Sequence, residues 1–176
     1  MQPARKPAQP LTFLFADDGS VPNNPTLPLV IFPRAIDLAG TPDPETAIER
    51  LIARNGWRDS WRNGIYPYVH YHSSIHEFLA VARGRAKVRF GGSNGEEITI
   101  SPGDVAILPA GTGHQGLWTS SDFVLIGAYP RAGKYDLCRG SKAERDKAVA
   151  AIANVPLPDT DPVVGVDGPL LQIWRS

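Results

Sequence analysis

The sequence predicts an all-β domain with minor helices: a small barrel or sandwich of short antiparallel strands, with helical and extended additions at both ends. Three observations carry this. From Trp57 to about Pro130, short apolar runs recur at close spacing with turn signals between them. Arg85, Lys87 and Arg89 alternate with Ala86, Val88 and Phe90, the period-two pattern of a strand with one buried and one polar face. The 176 residues include 17 glycines and 17 prolines, more than the roughly 12% usual for the two together, which suits a fold rich in turns.

The elements follow in order. Residues 1–10, MQPARKPAQP, carry Arg5, Lys6 and prolines without a following apolar run, and read as a disordered tail instead of a secretory signal. Residues 11–56 read as N-terminal strands and a helix packed on the barrel. Thr12–Phe15 and Leu29–Phe32 are its strands, the second bracketed by Pro28 and Pro33. In the helix, Asp43 serves as cap, Pro44 fits the first turn and Asn55-Gly56 ends it. Ile48, Leu51 and Ile52 form its apolar stripe, and Glu49, Arg50 and Arg54 its solvated face.

Residues 57–130 form the barrel core. Asn94-Gly95 signals a hairpin, and Pro102-Gly103-Asp104 and Pro109–Gly113 mark further turns. The basic row of Arg85, Lys87 and Arg89 reads as a solvated face ahead of an anion site. Residues 131–176 hold a helix that opens on the capping box of Ser141 and Glu144, with Ala148, Val149, Ala151 and Ile152 as its apolar side. Pro169–Trp174 reads as a terminal strand.

The formal charge of zero removes the broad electrostatic footprint of a nucleic-acid binder. The longest apolar runs, such as Phe123–Tyr129, are too short to span a bilayer as a helix. The single cysteine, Cys138, excludes an internal disulfide and reads as an inert buried thiol. A cytoplasmic protein with neither nucleic acid nor membrane as partner is expected.

The chemistry lies in where the four histidines sit. On a strand, His70 and His72 point to one face, and both rings can converge on one ion. Ser73-Ser74 suits a turn that would bring Glu77 back beside them, and two imidazoles with one carboxylate make a facial metal site. His114, in the turn segment PAGTGHQ, is available as a fourth ligand if strand pairing delivers it. His76 would face away from Glu77 on a regular strand; its reading is a hydrogen-bonding role, with a proton shuttle in the pocket as the alternative. Tyr66 and Tyr68 share the parity of His70, so each is either a pocket donor or core packing. Trp57, Trp61 and Arg62 read as packing ahead of a pocket rim, and Ser73 and Ser74 have no partners for serine hydrolase chemistry.

These residues resemble the two signature motifs of the cupin superfamily. Gly64, His70, His72, Glu77 and Gly84 match G-x5-H-x-H-x4-E-x6-G. Gly103, Pro109, Gly111 and His114 match G-x5-P-x-G-x2-H-x3-N, with Trp118 in place of the final Asn. Outside the motifs, PNNP, NGW, WRNGIYPYVHYHS, GGSNG, ERDKA and DPVVG are similar to the YjlB-like cupins. The resemblance implies a double-stranded β-helix, or jelly-roll, barrel holding one divalent metal per chain on His70, His72, Glu77 and His114. Iron, manganese, nickel, cobalt, copper or zinc suits such a set. Trp118 shares the strand parity of His114 and is expected to narrow the pocket. The resemblance further implies a metal-dependent enzyme acting on a small molecule, as a dioxygenase or as a Lewis-acid isomerase or lyase. The alternative is a non-catalytic small-ligand binding or sensor protein. A homodimer is expected, with Thr12–Phe15 and Leu170–Trp174 as candidate edge strands.

Overall fold

Two antiparallel sheets lie face to face in a computed structural model that describes residues 8–130 and 135–176. The larger has six strands in the order β1 (Leu11–Phe13), β2 (Leu29–Phe32), β7 (Val105–Leu108), β4 (Glu77–Arg83), β9 (Val124–Tyr129) and β3 (Arg58–Asn63). The smaller has three, β6 (Glu96–Ile100), β5 (Ala86–Phe90) and β8 (His114–Thr119). This is a jelly-roll sandwich. β1 and β2, expected as additions on the barrel, are hydrogen-bonded into the larger sheet through β2 and β7. The tail expected over residues 1–10 falls mostly outside the described residues.

Composition explains the layering. β2, β4, β7 and β9 are almost continuously apolar because both faces of the larger sheet are covered. Leu29, Ile31, Leu79, Val81, Ala106, Leu108 and Leu125 face Ala86, Val88 and Phe90 of the smaller sheet. Their neighbours Val30, Phe78, Ala80, Val105, Ile107 and Ile126 face a second core on the opposite side. That second core is roofed by Ile48 and Ile52 of α1 (Pro44–Arg54), by Trp57, and by Leu170 and Trp174 of α3 (Pro169–Arg175). β5 alternates because its outer face is bare: Lys87 and Arg89 both pair with Glu97 of β6, at 2.7 and 2.6 Å, so the basic row is partly offset across the ladder.

α1 is capped as its sequence indicates, with Asp43 accepting from Thr46 N at 3.0 Å. Its outer face is not simply solvated, because Glu49 forms a two-pronged ion pair with Arg62 of β3 at 2.8 Å. α2 (Lys142–Ile152) begins with both arms of its capping box in place. The hairpin at residues 91–95 turns through a single 3-10 turn over Gly92–Asn94, entered by Gly91 in the left-handed region, and not through a two-residue Asn94-Gly95 turn. Among the described residues, no helix is long and apolar enough to cross a membrane.

The C-terminus corrects the sequence reading. Pro169–Trp174 belongs to a helix, so Leu170–Trp174 provides no edge strand. The cause is remote in sequence. Asp161, 1% exposed, accepts from Leu170 N at 3.0 Å on one oxygen and from Val163 N and Val164 N at 2.8 and 3.0 Å on the other. It thereby supplies the helix start that Gly168 lacks a side chain to cap. Asp161→Ala should lower the unfolding free energy by about 2–4 kcal/mol, because one buried and two part-buried amides lose their shared acceptor. Urea denaturation measures the loss, and an unchanged midpoint would refute the capping role.

Candidate metal centre

The alternation that layers the larger sheet also sorts the motif residues. Glu77 opens β4 with the parity of Leu79 and Val81 and points between the sheets. His76 has the parity of Phe78 and points to the other side. There it is 1% exposed, its ring 4.8 Å from that of Trp174. Its Nε2 donates to Pro156 O at 3.1 Å, and its Nδ1 accepts from Ala110 N at 2.9 Å. His76 is therefore a hydrogen-bonding core residue away from the pocket.

His70 and His72 sit on a short extended segment held from both flanks. His70 exchanges backbone hydrogen bonds with His114, at 3.1 and 2.9 Å, and Tyr71 with Cys138, at 3.0 and 2.9 Å. The turn before His114 is fastened by the PNNP segment. Asn24 Nδ2 donates to Ala110 O at 3.0 Å, and Gly113 N donates to Asn23 Oδ1 at 3.1 Å. Gly111, at φ 95°, donates to His72 O at 2.7 Å; a side chain there would lie 2.7 Å from Asn23 O.

These restraints bring His70, His72 and His114 together, with one ring nitrogen from each within 4.8 Å of the others. Each ring has its Nδ1 against a backbone carbonyl: Tyr68 O at 3.0 Å for His70, Asp136 O for His72, and Thr112 O at 3.1 Å for His114. A carbonyl only accepts, so each Nδ1 carries a proton and each Nε2 is left with a free lone pair. The Nε2 atoms of His72 and His114 then stand 3.4 and 3.3 Å from Glu77 Oε2, which is buried and makes no hydrogen bond.

Acceptors crowded together in a buried site require a positive charge among them. A second proton on His72 supplies one: burial opposes it, but the Glu77 carboxylate outweighs burial and lifts the ring to about 9. Burial and the neighbouring His114 instead push His70 down to about 3 and keep it neutral. Burial would raise Glu77, yet the His72 and His114 rings hold it below the ordinary carboxylate range. Three imidazole donors and one orphaned carboxylate oxygen also fit a divalent ion, whose two charges answer the same need.

A cavity of about 330 Å3 opens from this cluster. Its walls include Trp61, Ile65, Tyr66, Leu79, Leu125, Tyr129, Tyr135 and Leu137. The Trp61 indole N–H donates to Tyr129 Oη at 3.1 Å, and Tyr135 stacks on Tyr129 with centroids 4.8 Å apart. Gly127 makes room for that indole, since a Cβ would lie 2.1 Å from it. Trp61 is thus a wall residue and not packing alone, whereas Trp57 is buried beneath the sheet.

Of the tyrosines expected in the pocket, Tyr66 lines the cavity. Tyr68 does not; it stacks on Tyr66 at 4.9 Å and carries the Arg139 guanidinium 3.5 Å above its ring. Trp118 is outside. A bulge between Val88↔Gly116 and Lys87↔Trp118 reverses the parity of β8, leaving Trp118 53% exposed beside Lys87. The expected narrowing of the pocket by Trp118 does not occur.

Sequence reasoning missed Tyr129, Tyr135 and Asp136. The Asp136 carboxylate accepts from Ser73, Ser74 and Cys138; burial would raise its pKa, but these donors hold it at about 2. Cys138 is the buried thiol expected, pushed up to about 12 by burial and by Asp136. None of these positions lies in either motif, and only parity along the apolar run ending at Tyr129 hinted at one of them.

The cupin domain model matches residues 62–126, which span all four clustered side chains. Over 163 residues the chain is 42% identical to the uncharacterized protein YjlB of Bacillus subtilis, covering 93% of this chain and 95% of that protein. The chain is a cupin of the YjlB-like group. Solved structures match this cupin over about half its length. The QdtA 3,4-ketoisomerase of Thermoanaerobacterium thermosaccharolyticum is 16% identical, covering 53% of this chain and 74% of that one, with a TM-score of 0.42. The acireductone dioxygenase of Bacillus anthracis, with a cadmium ion in its active centre, is 18% identical, covering 48% and 57%, with a TM-score of 0.35. Likenesses of this size carry nothing about the chemistry of this cupin.

The placement of His76 makes acid stability testable. Burial holds its ring down to about 4, against 6.5 for a free imidazole. Between these values the unfolded chain takes up a proton that the folded chain refuses. The stability that neutral His76 contributes is full above pH 6.5 and falls by about 3 kcal/mol as the pH drops to 4. Urea unfolding of wild type and His76→Gln across this window should show the gap between them closing toward low pH. A gap independent of pH would refute the assignment.

Proposed function

We propose that this cupin holds one divalent metal on His70, His72, Glu77 and His114 and acts as a metal-dependent enzyme on a small molecule in the adjoining cavity. The observation that carries this reading is Glu77 Oε2, buried without a hydrogen bond against two imidazole nitrogens whose partner nitrogens are already committed. Iron, manganese, nickel, cobalt, copper or zinc suits the set; bound there, the ion supplies Lewis acidity and, where redox-active, oxygen chemistry.

The chain's own side chains select what meets that ion. Leu79 and Leu125 keep the inner cavity apolar. Trp61 fixes the Tyr129 phenol by donating to its oxygen, which orients the hydroxyl toward its remaining partners. Tyr66, 47% exposed, stands at the mouth. Walls of this kind favour dioxygenase-like chemistry on a small, flat oxygen ligand such as a diketone or catechol. Isomerase or lyase chemistry on a sugar calls for more hydrogen-bonding wall. The same reading includes a homodimer paired along β1, the edge of the larger sheet, which light scattering at micromolar concentration tests.

Metal binding is measured first. A divalent ion at a concentration about 100 times its Kd should raise the unfolding free energy by about 2.7 kcal/mol. Glu77→Gln should abolish that rise, each protein being compared with its own metal-free baseline because the metal-free variant also loses the buried pair with His72. His72→Ala should weaken uptake about tenfold or more without unfolding the sandwich. Wild-type protein that takes up neither iron, manganese, nickel nor zinc overturns the reading. With metal bound, oxygen consumption on diketones and catechols separates an enzyme from a binding protein, which would hold such ligands tightly without turnover.

A further inference from the structure

Residue 136 meets His72 in two ways. Its backbone carbonyl accepts from His72 Nδ1. Its carboxylate clamps the turn that follows His72. Oδ1 accepts from Ser73 N at 2.8 Å, Ser74 N at 3.3 Å and Ser74 Oγ at 3.0 Å. Oδ2 accepts from Ser73 Oγ at 2.5 Å and Cys138 Sγ at 3.1 Å. On the near side of His72, the backbone exchange between Tyr71 and Cys138 closes the bracket. His72 is thus held between a backbone bridge at 71 and 138 and a side-chain clamp from residue 136 to Ser73 and Ser74.

The bracket also sets a wall of the cavity. Tyr135 and Leu137, on either side of Asp136, both line it, and the Tyr135 ring stands edge-on to His72 with centroids 5.6 Å apart. Residues 135–137 are not part of a regular strand, so no ladder fixes where the carbonyl of residue 136 points. The carboxylate does that work, since one Asp side chain can accept from many donors at once.

We propose that Asp136 is a positioning residue for the metal centre: its carboxylate locks segment 135–138 onto His72–Ser74, so that its own carbonyl holds the His72 ring with Nε2 turned to Glu77. The inference rests on the metal-binding reading above. A hydrogen bond to the second ring nitrogen fixes the tautomer and plane of a ligating histidine and makes it a stronger donor. Serine hydroxyls and amides at residues 73 and 74 serve the same end, which gives the Ser73-Ser74 pair a purpose outside nucleophilic chemistry.

The test reads the site without turnover. Metal-free protein is titrated with Co2+, followed by calorimetry and by the visible absorption of the bound ion. Asp136→Ala should weaken Co2+ binding about 10- to 100-fold and shift the absorption bands. Asp136→Asn should recover part of the affinity, because an amide oxygen still accepts from Ser73 N. Ser73→Ala removes one donor and should lose less than Asp136→Ala. His76→Gln, on the far side of the sheet, should leave affinity and spectrum unchanged. Where Asp136→Ala does not fold, Asp136→Asn and Ser73→Ala carry the test. Folded Asp136 variants with wild-type affinity and spectrum overturn the proposal, even if their thermal stability falls, for that is the result of a purely structural role. A wild type that binds no Co2+ overturns the metal reading itself and this inference with it, and the wild-type titration tells the two failures apart.

Discussion

The four inner strands of the larger sheet are covered on both faces, and nearly every side chain on them has to belong to one layer or the other. That constraint runs through the whole molecule. It makes β2, β4, β7 and β9 nearly continuous in apolar residues, and it commits alternate positions to opposite cores. At the start of β4 it sends adjacent residues to opposite fates. Glu77 enters the space between the sheets beside the His72 and His114 imidazoles, and His76 is packed under α3 with both nitrogens engaged. A one-residue slip of β4 would exchange them and destroy the site.

The candidate metal centre is held mostly by backbone. Three carbonyls, of residues 68, 112 and 136, fix the histidine tautomers, and two extended segments exchanging hydrogen bonds bring His70 to His114. The result is a set of lone pairs around a carboxylate that calls for a positive charge, from a second proton on His72 or from a bound ion. Burial makes that arrangement costly without a cation, and the same burial makes a bound cation effective. Residues remote in sequence carry the support: Asn23 and Asn24 tie down the turn before His114, and Asp136 ties down the turn after His72.

Much of the fold and of the centre was legible. The caps of α1 and α2, the alternation of β5 and the spacing of the motif histidines are local signals, and local signals survive in a linear sequence. Failures came where a distant contact overrode a local pattern. Pro169–Trp174 is as apolar as a strand, but Asp161 accepts from the first turn and Trp174 donates to Pro28 O at 2.9 Å, which settles it as a helix. Trp118 has the parity of His114 on paper, and a bulge cancels it. The edge strand expected at Leu170–Trp174 fails for the same reason, since these residues are helical.

The sequence by itself marked side chains whose type and strand spacing suit a metal, because both are properties of the chain: His70, His72 and His114, which the fold brings together as a group that could hold an ion, and Glu77 beside them. Tertiary structure alone decided what surrounds them. Trp61 lies far from Tyr129 and Tyr135 in the sequence, and they meet as a wall only because β3 pairs with β9. A bulge, a buried carboxylate and a carbonyl direction depend on registers between strands, and register is set by pairing that no single segment encodes.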